Sequence, residues 1–248
     1  MPENIGYEFF QNTCYNNLSL SPQKQGIPMP PIQLPYSAQA KQVLLPDPVD
    51  VKVPPADLRS AIENRATLRH YSSEGISLEE LSFLLWCTQG IKRITEKMIT
   101  FRTVPSAGSR HSFETFLLIN NVSQIDPGLY RFAPVDNLLV EINTSSTISS
   151  EITHACSDQG HVLNSAATFI WAAVVDRMFW RYVERSYRYL LLDAGHVCQN
   201  LYLAAEPLNC GVCAIAAFDD EKLNKAVGVD GKDIFVVYAA TIGKKQAV

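Results

Sequence analysis

Prolines divide this chain into two unequal parts. Ten of its 14 prolines lie before residue 56, in runs such as IPMPPIQLP (27–35) and VKVPP (51–55). Proline lacks an amide hydrogen and fixes its own backbone angle, so such a stretch continues neither a helix nor a central strand. We therefore predict an extended arm over residues 1–56, lying on an apolar surface, and one packed domain over residues 57–248.

Beyond the arm, hydrophobic periodicity predicts helices and strands without a regular βαβ order. Ser77 and Glu80 have the spacing of a capping box. Helices are predicted from about 58 to Arg65, after Ser77, and over 149–157, 188–208 and 222–227. Strands are predicted over 113–120, 128–133, 137–142, 166–175, 212–218 and 234–242. This mixture predicts an α+β fold.

The composition excludes several classes of partner. A net charge of -4 on 248 residues gives no electrostatic reason to expect nucleic acid or an anionic membrane. The N-terminus lacks the basic and apolar regions of a signal peptide, and the longest apolar run, 166–175, is too short to span a bilayer. We expect a cytoplasmic protein with no nucleic-acid and no membrane partner.

No metal site and no Rossmann site are expected. The six cysteines include one C-x-x-C pair, Cys210 and Cys213, but a second pair with zinc-ribbon spacing is missing. The histidines show no ligand spacing, and the sequence contains neither G-x-G-x-x-G nor G-x-x-x-x-G-K-[ST]. Metal chemistry is therefore not predicted, and a nicotinamide cofactor would have to be bound without a dinucleotide loop.

The stretch RATLRHY (65–71) carries Arg65, Thr67 and Arg69 at alternate positions. In an extended segment alternate side chains face the same side. Two neighbouring guanidinium groups repel each other, so either an anion lies between them or the segment is a solvated turn whose arginines pair with nearby glutamates.

Three further segments favour a ligand that approaches the backbone. Residues 102–111 and 208–218 are rich in small side chains, and Gly243-Lys244-Lys245 follows the last predicted strand. Each segment alone is typical of an ordinary turn. Together with the arginine pair, they suit a flat cofactor that carries one phosphate.

In order along the chain, these segments resemble the SagB-type dehydrogenases of the FMN-dependent nitroreductase family. The resemblance runs from about residue 57 to 243. It is carried by R-x-[ST]-x-R, SLEELSFLLWCTQGI, RTVPSAGSRHSFE, PGLYRF, RSYRYLLLDAGHVCQNLYLAAE and AFDDEKLNKAVGVDG. It implies an α+β fold with a mixed, mainly antiparallel sheet flanked by helices, and a homodimer that binds FMN at its interface.

The resemblance also implies roles for individual residues. It places on the FMN phosphate and ribityl chain Arg65, Ala66, Thr67 and Arg69. The loop that would approach the flavin from the partner subunit contains Pro105, Ser106, Ala107 and Gly108, with Arg110 nearby. The segment along the isoalloxazine ring would be Ile215, Ala216 and Ala217, and the residue that reaches the phosphate would be Lys244 or Lys245.

The implied activity is ping-pong hydride transfer through FMN, with NAD(P)H as the donor and a small molecule as the acceptor. Relatives that oxidise peptide azolines to azoles carry a Lys-Tyr pair where this chain has Arg181-Tyr182. Arginine stays charged and is not a base near neutral pH, whereas Tyr182 either donates a proton or is an exposed helix residue. A further departure is Asn209-Cys210-Gly211, where most relatives have G-L-G. An azoline dehydrogenase and a catalytically silent flavin-binding protein are the alternatives.

Overall fold

The computed structural model describes residues 4–246. The strands are β1 (Gln42–Leu44), β2 (Ile91–Ile94), β3 (Thr100–Arg102), β4 (Phe113–Ile119), β5 (Gly128–Ala133), β6 (Leu138–Asn143), β7 (Ala167–Val174), β8 (Cys210–Ile215) and β9 (Ile234–Lys244). The helices are α1 (Ile5–Asn12), α2 (Leu58–Asn64), α3 (Leu78–Gln89), α4 (Ile148–Ala155), α5 (His161–Asn164), α6 (Val175–Tyr182), α7 (Ser186–Ala205) and α8 (Asp220–Val227).

Seven of these strands form one sheet in the order β1-β6-β5-β4-β7-β9-β8. All of its neighbouring pairs are antiparallel, and β2 and β3 form a separate antiparallel hairpin. The predicted α+β fold with a mainly antiparallel sheet is confirmed. None of the helices within residues 4–246 is both long and apolar enough to cross a membrane.

The central strand β4 shows why the sheet is covered on both faces. All seven of its residues are buried, and successive side chains in a strand point to opposite faces. Leu117 and Ile119 pack in the same core as α3 and α7, whereas Phe116 and Leu118 pack in the core that contains α4 and α8. The protein therefore has three layers, with the sheet in the middle.

The helix signals in the sequence are largely confirmed. The Ser77 hydroxyl accepts from the Glu80 amide, and the Glu80 carboxylate accepts from the Ser77 amide, so the predicted capping box is present. In α7, the predicted apolar face, including Leu190 and Leu201, is buried. This helix ends at Ala205 and continues as a single 3-10 turn that contains Pro207.

The strand predicted over 212–218 lies earlier in the structure, at Cys210–Ile215. Asn209 adopts a left-handed conformation (φ 52°) immediately before it, a conformation that asparagine tolerates better than most residues. At the other end the Asp219 amide donates to the Ala155 carbonyl (2.8 Å) and its carboxylate caps α8. The chain therefore leaves the sheet before Ala216.

Within the predicted arm, residues 1–3 lie outside the described range, and residues 4–56 contain two elements that the proline pattern did not predict. Helix α1 lies in the proline-free stretch between Pro2 and Pro22. Strand β1 pairs with β6 and forms one edge of the main sheet, with Val43 opposite Leu139. Part of the segment is thus built into the sheet.

A buried group of charges, here called the arginine cluster, attaches residues 31–35 to the sheet. It consists of Arg102, Arg131, Arg177 and Glu114, each at most 5% exposed. The Glu114 carboxylate accepts from Arg131 (3.0 Å) and Arg177 (2.6 Å). The three guanidinium groups donate at 2.7–3.2 Å to backbone carbonyls of residues 31–35. They satisfy acceptors that a proline-rich segment cannot pair within a helix or sheet.

We predict that Glu114→Gln destabilises the fold by about 3–5 kcal/mol, because it leaves buried guanidinium groups without their carboxylate. Urea denaturation gives the free energy of unfolding. The matched control is Glu63→Gln, which removes the exposed carboxylate paired with Arg59 and should cost less than about 0.5 kcal/mol. Equal effects of the two substitutions would contradict the role given to Glu114.

Candidate functional site

Residues 65–69 lie along the outer edge of β8, the last strand of the sheet. Thr67 forms a parallel bridge with Val212, and the Leu68 amide donates to the Val212 carbonyl at 2.9 Å. Gly211 makes this approach possible, since a Cβ atom there would lie 2.3 Å from the Leu68 side chain. The pairing therefore holds Thr67 and Leu68 in an extended conformation, in which alternate side chains face the same side.

Tyr202 of α7 connects this segment to the sheet. Its hydroxyl accepts from the Ala214 amide (3.0 Å) and lies 3.3 Å from the Thr67 hydroxyl. The Arg65 guanidinium lies over its ring, 5.3 Å from the centroid. Sequence reasoning missed Tyr202, although a tyrosine on an apolar helix face needs a polar partner for its hydroxyl. Arg65 and Thr67 are thus brought together, as predicted.

Arg69 is exposed and lies close to Cys213 on the same edge. Burial raises the pKa of the Cys213 thiol, and the Arg69 guanidinium partly offsets that rise. Within residues 4–246, neither Arg65 nor Arg69 forms an ion pair, and the neighbouring Glu63 is paired with Arg59. Of the two interpretations of RATLRHY, pairing with glutamates is not what the structure contains. Ala66, between the two arginines, is exposed.

The two predicted phosphate lysines are engaged elsewhere. Lys244 is buried and donates to the Glu80 carboxylate and to the Leu208 carbonyl. Lys245 donates to Glu206 at 2.8 Å. Both ammonium groups thus have carboxylate partners within the chain, which argues against a phosphate-binding role for either lysine.

The predicted ring-facing segment follows the end of β8. The Ile215 side chain is buried in the core that contains α4 and α8, so only its backbone is available to a ligand. Ala216 and Ala217 are exposed, and the Ala217 carbonyl accepts from the Gln159 amide group at 2.9 Å. The segment offers a ligand small side chains and a fixed backbone.

A second group of predicted residues meets around Gly108. This glycine has a φ of 56°, and a Cβ atom on it would lie 2.5 Å from the Tyr182 hydroxyl and 3.1 Å from Arg181. Arg110 is buried and donates from Nε to the Gly108 carbonyl at 3.0 Å. Only glycine fits here, so the loop and the Arg181-Tyr182 pair form one unit.

Asp193 fixes this loop from the side of α7, and sequence reasoning missed it. Its Oδ1 accepts from the Ala107 amide at 3.3 Å. Its Oδ2 is buried with no partner, and burial raises the pKa of the carboxyl group. The sequence signal that could have identified it is a single aspartate within the apolar run LLLDAGHV. Pro105, at the start of the loop, is exposed.

The turn after Tyr182 is strained. Val183, which is buried, has φ 43° and ψ -129°, a conformation that costs a β-branched residue about 1–3 kcal/mol. The strained turn ends α6 and directs Tyr182 toward Tyr189, whose ring centroid lies 4.7 Å away. Such outliers are often retained where a side chain must be held in one place.

Cys210 lies in the hydrophobic core. Burial raises the pKa of the Cys210 thiol to about 12, so this residue, at the position where the chain departs from G-L-G, is a protonated core thiol. Within the described residues, no group of three or more His, Cys, Asp or Glu side chains is placed to hold a metal ion.

A model of the nitroreductase family matches residues 62–244, well over half of the chain. The chain therefore belongs to the nitroreductase family and is an oxidoreductase. The family resemblance found in the sequence is confirmed.

The similar proteins include one named as a nitroreductase and one named for processing a microcin. The chain is 29% identical over 188 residues to MJ1384 of Methanocaldococcus jannaschii, a protein named as a presumptive nitroreductase. The aligned residues cover 76% of this chain and 90% of MJ1384. It is also 23% identical over 137 residues to the microcin B17-processing protein McbC of Escherichia coli, covering 54% of this chain and 50% of McbC.

Solved structures show the same fold. A nitroreductase-type protein from Anabaena variabilis superposes with a TM-score of 0.68 at 26% identity, covering 86% of this chain. This chain spans only 45% of that protein. The NADPH:FMN oxidoreductase of Vibrio harveyi, in complex with NAD+, superposes with a TM-score of 0.55 at 13% identity, covering 77% of this chain and 69% of that protein.

The raised pKa of Asp193 leads to a prediction about how the stability of the fold depends on pH. Because its pKa is raised in the folded protein, the folded state holds a proton that the unfolded chain has already lost, and stability falls as pH rises through the raised pKa. Asp193→Asn lacks this contribution. In urea denaturation, its free energy of unfolding relative to the wild type should therefore improve as pH rises above about 4, where the unfolded aspartate loses its proton, and level off above the raised pKa.

The control is Asp50→Asn, which changes an exposed carboxylate and should follow the wild-type pH profile. Parallel profiles for Asp193→Asn and the wild type would show that the Asp193 carboxyl group does not titrate as its burial requires.

Proposed function

We propose that this protein is an FMN-dependent oxidoreductase that passes electrons from NAD(P)H to a small-molecule acceptor in a ping-pong cycle. The observation that carries the proposal is the pair Arg65 and Arg69, held on the edge of β8 without a carboxylate partner among residues 4–246. A phosphate between two guanidinium groups would relieve their repulsion and accept several charge-assisted hydrogen bonds.

The residues around this pair fit the remainder of an FMN molecule. Thr67 offers a hydroxyl, and the exposed Ala216 and Ala217 leave room for a flat ring. Lys244 and Lys245 are not part of the proposed site, because both form ion pairs. Bound flavin would supply hydride and one-electron chemistry that protein side chains lack.

In this proposal the Gly108 loop of a second copy completes the site, and the protein is a homodimer. Helix α7 supports this, because Leu191 and Leu192 are 61% and 59% exposed. On α2, which precedes Arg65, Leu58 and Ile62 are also more than half exposed. Exposed apolar side chains grouped on two helices are typical of a surface that another chain covers.

Within the loop, the chain's own groups have distinct roles in the proposal. Asp193 and Arg110 fix the backbone on either side of Gly108, so the loop meets the ligand without rearrangement. The Tyr182 hydroxyl, which lies beside Gly108 next to the strained turn at Val183, would donate a proton to a bound reactant. Positioning of this kind lowers the entropy cost of the transition state.

The experiment that tests this function is the visible absorption spectrum of the purified protein, repeated without oxygen after NADH and then NADPH are added. The proposal predicts a flavin spectrum that bleaches with at least one donor. Flavin that no donor bleaches would favour the silent binding protein. A chain that contains no flavin, even after incubation with FMN, would refute the proposal.

A second candidate is dehydrogenation of azolines in a modified peptide. The similarity to McbC, whose name states that it processes microcin B17, and the position of Tyr182 favour it. Arg181 argues against it, because a guanidinium group does not accept a proton near neutral pH. An azoline peptide that bleaches the flavin where NAD(P)H does not would establish this candidate instead.

We predict that the double substitution Arg65→Gln with Arg69→Gln raises the Kd for FMN at least about tenfold, because charge-assisted hydrogen bonds to the phosphate are lost. Quenching of flavin fluorescence on titration with apoprotein measures this Kd. Arg59→Gln, an exposed arginine of α2, is the matched control and should bind FMN like the wild type. Unchanged affinity in the double variant, with loss in Lys245→Gln, would move the phosphate site to the lysine.

A further inference from the structure

Two guanidinium groups meet at Gly108 without a carboxylate between them. Arg110 is 7% exposed; it donates to the Gly108 carbonyl and contacts the Met29 sulfur at 2.9 Å. Arg181 is exposed, and its Nε would lie 3.1 Å from a Cβ atom on Gly108. Within residues 4–246 neither arginine forms an ion pair.

This place is positively charged in a protein whose net charge is -4. Burial lowers the pKa of Arg110, and the nearby charge of Arg181 lowers it further. The buried carboxyl group of Asp193 accepts from the Ala107 amide of this loop and, among the described residues, forms no ion pair with either arginine. A partly buried positive charge without a counterion is costly unless an anion from outside the chain compensates it.

Arg181 is the group of this pair that a ligand can reach. It is exposed, its guanidinium lies over the Tyr182 ring at 5.6 Å from the centroid, and both side chains contact the loop at Gly108. Arg110 is turned inward, with Trp180 under its guanidinium at 5.1 Å. Arg110 therefore contributes charge, and Arg181 is available for direct contact.

We propose that Arg181 binds an anionic oxygen group, a carboxylate or a phosphate, on a reactant of the proposed flavin site, so that the enzyme selects anionic substrates. This inference rests on the proposed function and deepens it. Arginine suits the role because it stays charged and presents a planar set of donors that matches a carboxylate or phosphate edge. A neutral amide of the same shape offers no charge to this group.

The test compares matched ligands on the flavin-loaded protein. Calorimetric titration without an electron donor gives the Kd of 4-nitrobenzoate and of 4-nitrobenzamide, which differ in the carboxylate alone. The wild type should bind the benzoate at least about tenfold more tightly than the benzamide, and Arg181→Gln should reduce this ratio to about one. Arg59→Gln should keep the wild-type ratio.

A second arm identifies the source of the anion. Titration with NADP+ and with NAD+, which differ by one phosphate, gives the ratio of the Kd values of these two nicotinamide cofactors. If the Arg181 substitution abolishes the benzoate preference, the anionic group belongs to the acceptor. If it abolishes a preference for NADP+ instead, the group is the phosphate of the donor.

Turnover provides an independent readout. In both nitro compounds the nitro group takes up two electrons and two protons and becomes a nitroso group and water, so the ratio of their kcat/KM values isolates the carboxylate. This ratio should fall at least about tenfold in Arg181→Gln.

The inference would be overturned if both ratios, benzoate to benzamide and NADP+ to NAD+, are near one in the wild type, or if Arg181→Gln changes neither of them by more than about twofold. Because calorimetry needs no electron transfer, this result would differ from a failure of the proposed function, which is a protein that binds no flavin or whose flavin no donor reduces.

Discussion

The pairing of residues 67–68 with Val212 is the contact on which the proposed site depends. A sheet edge leaves backbone amides and carbonyls without partners, and here the chain supplies its own short partner segment to the edge strand β8. That pairing requires a glycine at position 211, where Leu68 lies against the backbone. Once the pairing exists, the alternation of an extended chain places Arg65 and Thr67 together on Tyr202.

Helix α7 connects the two halves of the proposed site through opposite sides of its surface. Tyr202 lies against Arg65, and Asp193, nine residues earlier, holds the Gly108 loop. Residues nine apart lie on opposite sides of a helix, since nine steps of 100° leave them half a turn apart. One rigid helix can therefore support both the proposed phosphate site of its own subunit and the loop that we propose reaches a second subunit.

The parts of this structure that the sequence predicts are those set by local rules. The capping box at Ser77, the apolar face of α7 and the antiparallel strands on either side of residues 126–128 depend on neighbouring residues, and they appear as predicted. The arginine cluster joins Glu114 to Arg177, 63 residues away, and Arg102 to Ile32, 70 residues away. A local pattern does not specify which distant side chains will meet. The arginine cluster and the pairing of β1 with β6 were therefore not predicted from the sequence.

In the candidate site, too, some residues could be predicted from the sequence and others could not. The alternation in RATLR predicted that Arg65 and Thr67 face the same side, as they do at Tyr202. That a ligand approaches the backbone of the small-residue loop at Gly108 stays a prediction. Tyr202 and Asp193 were missed because their importance lies in single hydrogen bonds to other segments. The family resemblance implied that Lys244 or Lys245 reaches the phosphate, but Glu80 and Glu206, which pair with them, come from other elements.

The central claim is that Arg65 and Arg69 bind a flavin through its phosphate. The most direct measurement is the ratio of the Kd for riboflavin, which lacks the phosphate, to the Kd for FMN, both measured by fluorescence quenching with the same apoprotein. Two charge-assisted contacts of about 1.5–3 kcal/mol each predict that FMN binds at least about 100-fold more tightly. Affinities within about threefold of each other would contradict the account.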